Sequence, residues 1–120
     1  MWDADVIAKP ARERLLMYLW VDDIRTPPSD DWLHVRSVNQ AKAAIRAYER
    51  NMWDEYLIID LDHDAGDYVN DGGDYIRILD WLEQAGIVDT RYFFHLHTQN
   101  PVGRENMERI IRKNGWRLVK

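Results

Sequence analysis

The sequence contains no cysteine. Disulfide bonds and thiolate zinc sites are therefore excluded, and the fold must be held together by its hydrophobic core. A chain of 120 residues is long enough to bury such a core as one domain. The absence of cysteine also suits a reducing compartment, and we expect a cytoplasmic protein.

The sequence also lacks a long hydrophobic run. The longest, LLMYLWV at residues 15–21, is far too short to span a bilayer. The N-terminus is acidic where a secretory signal peptide would be basic, and it has no apolar segment of the kind that such a peptide needs. These absences predict a soluble protein without a membrane partner.

Positive charge is scarce as well. The chain has 16 Lys and Arg against 21 Asp and Glu, which gives a formal net charge of -5. Proteins that bind the nucleic-acid backbone usually present a basic face, so this excess of acid argues against an extended nucleic-acid surface. A small nucleotide, or another small molecule that carries a phosphate, remains compatible with the composition.

Uninterrupted apolar runs mark the predicted strands. Three strong runs cover residues 16–21, 56–61 and 91–97, and two weaker ones cover residues 33–37 and 116–120. Runs of this kind are typical of central parallel strands that are buried on both faces. Helical periodicity fills the gaps, and it predicts three helical segments at residues 37–52, 71–86 and 100–115.

The domain organisation is simple. Residues 1–14 show no clear periodicity and contain Pro10, so we predict an N-terminal extension there. The remainder has no internal repeat and no low-complexity tract. It is predicted to form one domain over residues 15–120.

Strands and helices that alternate in this way predict an α/β fold. We expect a three-layer, doubly wound parallel sheet of the flavodoxin-like kind, with strand order 2-1-3-4-5. The first connection departs from that plan, because residues 22–32 (DDIRTPPSDDW) contain two prolines and scattered acids. A loop should replace the first crossover helix, and no helix is predicted after the last strand.

Acidic and imidazole side chains follow the predicted strands. With this strand order, the residues that follow strands one, three and four lie at one edge of the sheet, where open α/β sheets bind ligands. They are Asp22, Asp23, Asp62, His63, Asp64, His97 and Asn100. Carboxylates grouped in this way often hold a hard cation, so Asp22, Asp23, Asp62 and Asp64 are candidate ligands for Mg²⁺. No organic cofactor is expected.

Three segments at this edge resemble the signatures of a known family. They are DDIRTPP at residues 22–28, LDHD at residues 61–64 and HTQNPVGRENM at residues 97–107. Together they are similar to the cyclic-phosphate processing receiver domain family, and the resemblance extends from about Leu16 to Gly115. The acids that end the strands also resemble those that bind Mg²⁺ around a phosphoryl group in response-regulator receiver domains.

The resemblance implies a receiver-like domain that processes cyclic phosphates, such as a 2',3'-cyclic nucleotide or ADP-ribose cyclic phosphate. The positions that match the motifs are Asp22, Asp23, Arg25, Asp62, His63, Asp64, His97, Asn100, Gly103 and Asn106. Opening a cyclic phosphodiester needs a base, an acid and positive groups near the phosphoryl oxygens. His63 and His97 are the candidate acid and base, in either order, and Arg25 is the third candidate catalytic residue.

Phosphate-binding residues are expected from the same motifs. Arg25 offers a bidentate guanidinium group. The amides around residues 102–104 would form an anion site at the start of the last helix, where Gly103 leaves room for close approach. Asn100 and Arg104 complete the predicted set, although Asn100 is also an ordinary residue with which to begin a helix.

Two other functions remain open. The same residues could capture a cyclic or phosphorylated nucleotide, or Mg²⁺, without turnover. Alternatively, the domain could be a degenerate receiver that is phosphorylated on Asp62 or a neighbour. The absence of a convincing lysine at the end of the fifth strand argues against this second alternative.

Several polar residues also have a purely structural interpretation. We expect Asp60 to be a partly buried acid satisfied by the backbone, and His95 to be a core residue deeper in the sheet than His97. His34 should be solvated. Arg25 could also brace its loop against Asp64 without contacting a ligand.

Overall fold

A parallel sheet of five strands organises the part of the chain that the computed structural model describes, residues 16–51, 55–87 and 91–119. The strands are β1 (Leu16–Val21), β2 (Leu33–Val35), β3 (Tyr56–Leu61), β4 (Tyr92–Leu96) and β5 (Arg117–Leu118). Their order across the sheet is β2-β1-β3-β4-β5, and every neighbouring pair is parallel. The predicted strand order is confirmed. The predicted extension at residues 1–14 lies outside the described residues.

Helices follow three of the strands in the described part of the chain. They are α1 (Val38–Asn51), α2 (Ile76–Gln84) and α3 (Pro101–Lys113), and a single 3₁₀ turn (Gly66–Tyr68) comes before α2. Residues 22–32 between β1 and β2 form no helix, as predicted. The chain therefore has a receiver-like α/β fold in which a loop replaces the first crossover helix. None of the described helices is long and apolar enough to cross a membrane.

All three helices pack against the same face of the sheet. α1 contacts α2, and α2 contacts α3, so that they form one layer. Alternate strand residues, such as Leu57, Ile59 and Leu61 of β3, belong to the core beneath this layer. Between them, Ile58 is only half-buried and lies outside the core cluster. The described residues thus supply two of the three expected layers.

The opposite face of the sheet, called here the open face, carries Tyr18, Ile58 and Phe93. These half-buried residues occupy matched positions on β1, β3 and β4. No helix of the described residues covers them, whereas the continuous apolar runs had predicted burial on both faces. The difference arises because large apolar residues occupy both faces of these strands, so the sequence does not show the alternation of a half-covered sheet.

The loop that replaces the first crossover helix folds over part of the open face. Trp32, near its end, packs against Tyr18 and Trp20, with ring centroids 4.9 and 5.7 Å away. The indole N–H of Trp20 donates to the carbonyl oxygen of Arg25 at 2.8 Å. These aromatic contacts hold the loop close to β1 and leave Trp20 only 7% exposed.

The starts of α1 and α3 follow their sequence signatures. Ser37 accepts the Gln40 amide at 3.0 Å, and the Gln40 side chain accepts the Arg36 amide at 2.8 Å. Asn100 accepts the Gly103 amide at 2.9 Å, and Pro101 occupies the first position of α3. Both caps satisfy amides that the first helical turn leaves without partners. The second cap also places α3 at the edge where β4 ends.

Two neighbouring residues test whether the core lies on one face. Ile59 is 0% exposed beneath the helices, whereas Ile58 lies on the open face. We expect Ile59→Ala to lower the free energy of unfolding by about 2–5 kcal/mol, because it leaves a cavity that close-packed neighbours cannot fill. Ile58→Ala should cost clearly less. Urea denaturation of both variants measures the difference, and equal losses would contradict a one-sided core.

Candidate functional site

The register of the sheet brings three side chains together at the carboxyl ends of β1, β3 and β4. Asp62 donates its amide to the Val21 carbonyl, and His97 donates its amide to the Leu61 carbonyl, each at 3.0 Å. Asp22, Asp62 and His97 therefore follow their strands at matched positions. Their ligand atoms lie within 4.8 Å of one another. With Arg25 they are called the rim cluster below.

His97 is held between two carboxylates. Its Nε2 lies 2.9 Å from Oδ2 of Asp22, and its Nδ1 lies 2.6 Å from Oδ1 of Asp60. Both ring nitrogens donate to these oxygens when the imidazole is positively charged. Trp20 stacks on the ring at 4.0 Å with an angle of 4° between the planes. The side chain of His97 is 11% exposed, so these contacts define its environment.

The pairing shifts the titration of both partners. Burial alone would lower the pKa of His97, but its hydrogen bonds with Asp60 and Asp22 and their negative charges outweigh burial and raise the pKa. Burial alone would raise the pKa of Asp22, but the amides of Ile24 and Arg25 and the His97 side chain lower it. Both shifts favour an imidazolium paired with a carboxylate at neutral pH.

Arg25 bridges two carboxylates of the rim cluster. Its Nε lies 3.2 Å from Oδ2 of Asp22, and one terminal nitrogen lies 3.2 Å from Oδ2 of Asp62. The other terminal nitrogen approaches the His97 carbonyl oxygen at 3.4 Å. The side chain remains 46% exposed. Arg25 therefore joins the ends of three strands, and it does so through Asp22 and Asp62 and not through Asp64.

The rim cluster contains the acids of a possible cation site, but their oxygens already have donors. Oδ1 of Asp22 accepts the amides of Ile24 and Arg25, each at 2.9 Å, while Oδ2 accepts from His97 and forms an ion pair with Nε of Arg25. Asp62 accepts the His63 amide at 2.7 Å on Oδ1 and accepts Arg25 on Oδ2. Mg²⁺ requires oxygen ligands at close range. In this arrangement the residues do not fit Mg²⁺, because the Arg25 guanidinium stands between the two acids.

Asp23 lies beside Asp22 and contacts the Gly66 turn. A Cβ atom at Gly66 would clash with Oδ2 of Asp23, and the backbone of Gly66 has a φ of +55°. Burial raises the pKa of Asp23, and the negative charges of Asp22 and Asp62 raise it further. Its carboxyl group therefore packs closely over the Gly66 turn that leads towards α2. Asp23 was predicted as a metal ligand, and that role stays a prediction.

His63 belongs to a second group, on the side of α3. Its Nδ1 lies 2.8 Å from Oδ1 of Asp64 and 3.5 Å from the side-chain nitrogen Nδ2 of Asn100. Ligand atoms of His63, Asp64 and Asp74 lie within 4.8 Å of one another. Asp74 also accepts the Ala65 amide. Among the described residues, this group and the rim cluster share no member, so the two predicted catalytic histidines lie in separate groups.

The start of α3 is occupied by its own capping contacts. Asn100 accepts the Gly103 amide with its side chain and the Arg104 amide with its carbonyl oxygen. The Arg104 side chain donates to the Thr98 carbonyl oxygen at 2.8 Å. Gly103 lies under the His63 ring, and a Cβ there would clash with Cδ2 of His63. Asn100 and Gly103 therefore contact His63, and the role of the predicted residues towards phosphate stays a prediction.

Asp60, Trp20 and His95 also lie at the site, although sequence reasoning gave none of them a functional role. Asp60 accepts from His97 and, at 3.0 Å, from Nδ1 of His95, so two imidazoles satisfy it where the backbone was expected to do so. The side chain of His95 is 37% exposed and does not lie deeper than His97. The sequence contains a signal for these residues. The segments WVD (residues 20–22), DLD (60–62) and HLH (95–97) each place two polar or aromatic residues two positions apart, which puts both on the same face of the strand.

His34 also differs from its expectation. Its Nε2 lies 2.8 Å from the carbonyl oxygen of Asp22, and the residue is half-buried. The parallel pairing of β2 with β1, in which His34 faces Trp20, brings the ring to this carbonyl. His34 therefore helps to position the turn that follows β1, whereas we had expected it to be solvated.

The titration of His97 is open to direct measurement. Its pKa in the folded state should lie above the ordinary 6.5 and should fall in Asp60→Asn, which removes one charged acceptor. NMR titration of the imidazole reports it, with Asp67→Asn as a control at an exposed acid. Because folding raises this pKa, the pairing stabilises the fold fully below pH 6.5 and is lost as the pH rises through the folded pKa. A pKa below 6.5 would contradict the pairing.

The contact between Gly103 and His63 leads to a second expectation. Alanine favours helix over glycine by about 1 kcal/mol, so Gly103→Ala would stabilise α3 if space were available. A Cβ at this position meets the His63 ring, and we therefore expect displacement of the ring and no gain in melting temperature. Thermal unfolding and the NMR signals of the imidazole measure both effects. Val102→Ala, at a neighbouring position that is 69% exposed, is the control.

Comparison with known proteins places the rim cluster and the His63 group within one family domain. The family model described as the cyclic-phosphate processing receiver domain matches residues 17–113. No curated protein and no solved structure matches the chain significantly. The family match covers most of the chain and includes the three motif segments on which the resemblance was based. The chain therefore belongs to the cyclic-phosphate processing receiver domain family.

Proposed function

We propose that this domain opens cyclic phosphates at the carboxyl ends of β1, β3 and β4, and that its substrate is a nucleotide-like cyclic phosphodiester. The observation that carries the proposal is the pairing of His97 with Asp22 and Asp60, beside the half-exposed Arg25. Membership of a cyclic-phosphate processing family supports the substrate class. The negative net charge favours a small phosphate ligand over a nucleic-acid backbone.

Arg25 is suited to receive the phosphoryl group. A guanidinium has five N–H donors. The hydrogen bonds to Asp62 and to the His97 carbonyl use one from each terminal nitrogen, and Nε forms an ion pair with Asp22. Each terminal nitrogen keeps one further N–H, and the side chain is 46% exposed. A phosphate oxygen pair could accept from this outer edge in a bidentate manner. The carboxylates behind Arg25 would hold the guanidinium in place before substrate arrives.

The environments of the two histidines favour different roles. His97 has a raised pKa, which favours its positively charged form, so it suits the acid. His63 can donate from Nδ1 to Asp64, which would leave Nε2 as the basic nitrogen. In the proposed step, His63 takes a proton from a water molecule while the oxygen of that water bonds to phosphorus. One ring P–O bond breaks, and the leaving alkoxide takes a proton from His97, giving a phosphomonoester and a hydroxyl group.

A non-catalytic binding module is the second candidate function. Both ring nitrogens of His97 are already hydrogen-bonded, and the ring is covered by Trp20. Proton donation to a substrate therefore requires the contact with Asp22 to open. A site that keeps this contact closed would bind a phosphate through Arg25 without turnover.

Turnover separates the two functions. Phosphorus NMR of the protein with 2',3'-cyclic nucleotides and ADP-ribose cyclic phosphate should show conversion to a phosphomonoester. His97→Gln and His63→Gln should each lower the rate by about 10²–10⁴-fold, the usual contribution of a general acid or base. Full activity in both variants would refute the assignment of the two histidines.

The control for these variants is His34→Gln, since glutamine can still donate to the Asp22 carbonyl oxygen that His34 contacts. This variant should keep its rate. Ligands that raise the melting temperature without forming any product would favour the binding module. Neither turnover nor stabilisation by any cyclic phosphate in the panel would contradict the proposed substrate class.

A further inference from the structure

The Arg25 guanidinium stands where receiver-like domains are expected to hold a divalent cation. We propose that Arg25 is the resident cation of Asp22 and Asp62, and that it excludes Mg²⁺ from the rim cluster. The domain then neutralises these acids with its own side chains. The inference concerns cation binding; only its activity measurement rests on the proposed function.

The first argument is the position of the guanidinium. Asp22 and Asp62 follow neighbouring strands at matched register, and a cation that joins them must contact a carboxylate oxygen of each. Arg25 reaches both Oδ2 atoms at 3.2 Å through two different nitrogens. A planar fork can satisfy two carboxylates at once, which a single ammonium group does less well.

The second argument is that the backbone holds Arg25 in this position. Oδ1 of Asp22 accepts the amides of Ile24 and Arg25, so the turn after β1 is closed by one of the acids that the guanidinium pairs with. Trp20 donates its indole N–H to the Arg25 carbonyl oxygen at 2.8 Å. Both anchors lie on β1 or directly after it. The start of the Arg25 side chain is therefore fixed close to the two acids.

The third argument is charge. Asp22 and Asp62 bring two formal negative charges to the rim cluster, and the Arg25 guanidinium brings a positive charge between them. A divalent cation would add two more positive charges beside the guanidinium. It would also have to displace donors from oxygens that already accept hydrogen bonds. Like charges at this range repel, so Mg²⁺ and Arg25 compete for the same oxygens.

Removing the guanidinium should reveal the competition. In wild-type protein, calorimetric titration with Mg²⁺ or Mn²⁺ should give no binding or only millimolar binding at the rim cluster. Arg25→Gln should bind at least about ten-fold more tightly, since loss of one neighbouring positive charge at this range changes an affinity by that order. Adding Asp22→Asn to Arg25→Gln should abolish the gain and thereby locate it.

Arg109→Gln is the matched control. It removes the same charge from an exposed side chain on α3 that pairs only with surface groups, Glu105 and Asn106, among the described residues. Its cation affinity should equal that of the wild type. Submicromolar to micromolar Mg²⁺ binding by the wild type, or binding that Arg25→Gln does not tighten, overturns the inference.

A measurement on the wild type keeps the test decisive if Arg25→Gln fails to fold. The Nε–H signal of Arg25 in ¹H–¹⁵N spectra should stay in place while Mg²⁺ is added to millimolar concentration. A shift of this signal with saturation would mean that the metal displaces the guanidinium, and this result would overturn the inference.

The activity measurement distinguishes this inference from the proposed function. Turnover that persists in EDTA supports both. Turnover that requires Mg²⁺ supports the proposed function and overturns the resident cation. Absence of turnover under all conditions counts against the proposed function alone, because the titrations above do not depend on it.

Discussion

The structure at the end of the sheet depends on neutralising carboxylates that the strand register forces together. Asp22 and Asp62 follow adjacent strands, and Asp60 lies two residues before Asp62 on the same face. Grouping these buried acids without partners would be strongly destabilising. His97 and Arg25 provide the partners, because each contacts two of these acids.

The loop after β1 also serves this pairing. The turn closed by Asp22 keeps Arg25 near the strand end. Trp32 of the loop packs against Trp20, and the Trp20 indole donates to the Arg25 carbonyl oxygen, so the loop is held against the sheet. Part of the open face is thereby covered by aromatic rings instead of by a helix. The loop thus positions Arg25 in the rim cluster and also covers part of the sheet.

Membership of a cyclic-phosphate processing family and the charge arrangement of the site are both compatible with a phosphate-containing ligand. Receiver domains that use a bound metal ion place it among strand-terminal acids, and this chain has such acids. Here the acids are paired with a guanidinium and an imidazole, which are groups that suit a phosphodiester as ligand. The His63 group adds a second imidazole at the start of α3. The candidate catalytic side chains thus form two groups that contact different elements.

Strand order, the three helices and the loop at residues 22–32 could be predicted from the sequence, because apolar runs, caps and prolines are local signals. The acids and histidines that end the strands could also be predicted, since their positions follow from topology. The one-sided core could not, because Tyr18, Ile58 and Phe93 are as apolar as the residues beneath the helices.

Which side chain pairs with which was decided by tertiary structure alone. Arg25 contacts Asp62 and not Asp64, Asp60 contacts His97, and the two histidines lie in separate groups. These pairings depend on the direction of each side chain from the strand ends and on distances of a few ångströms between distant parts of the chain. The sequence by itself determined which charged groups reach this edge of the sheet. The packed sheet decided how those charges are matched, because only register and the crossing loop bring specific atoms into contact.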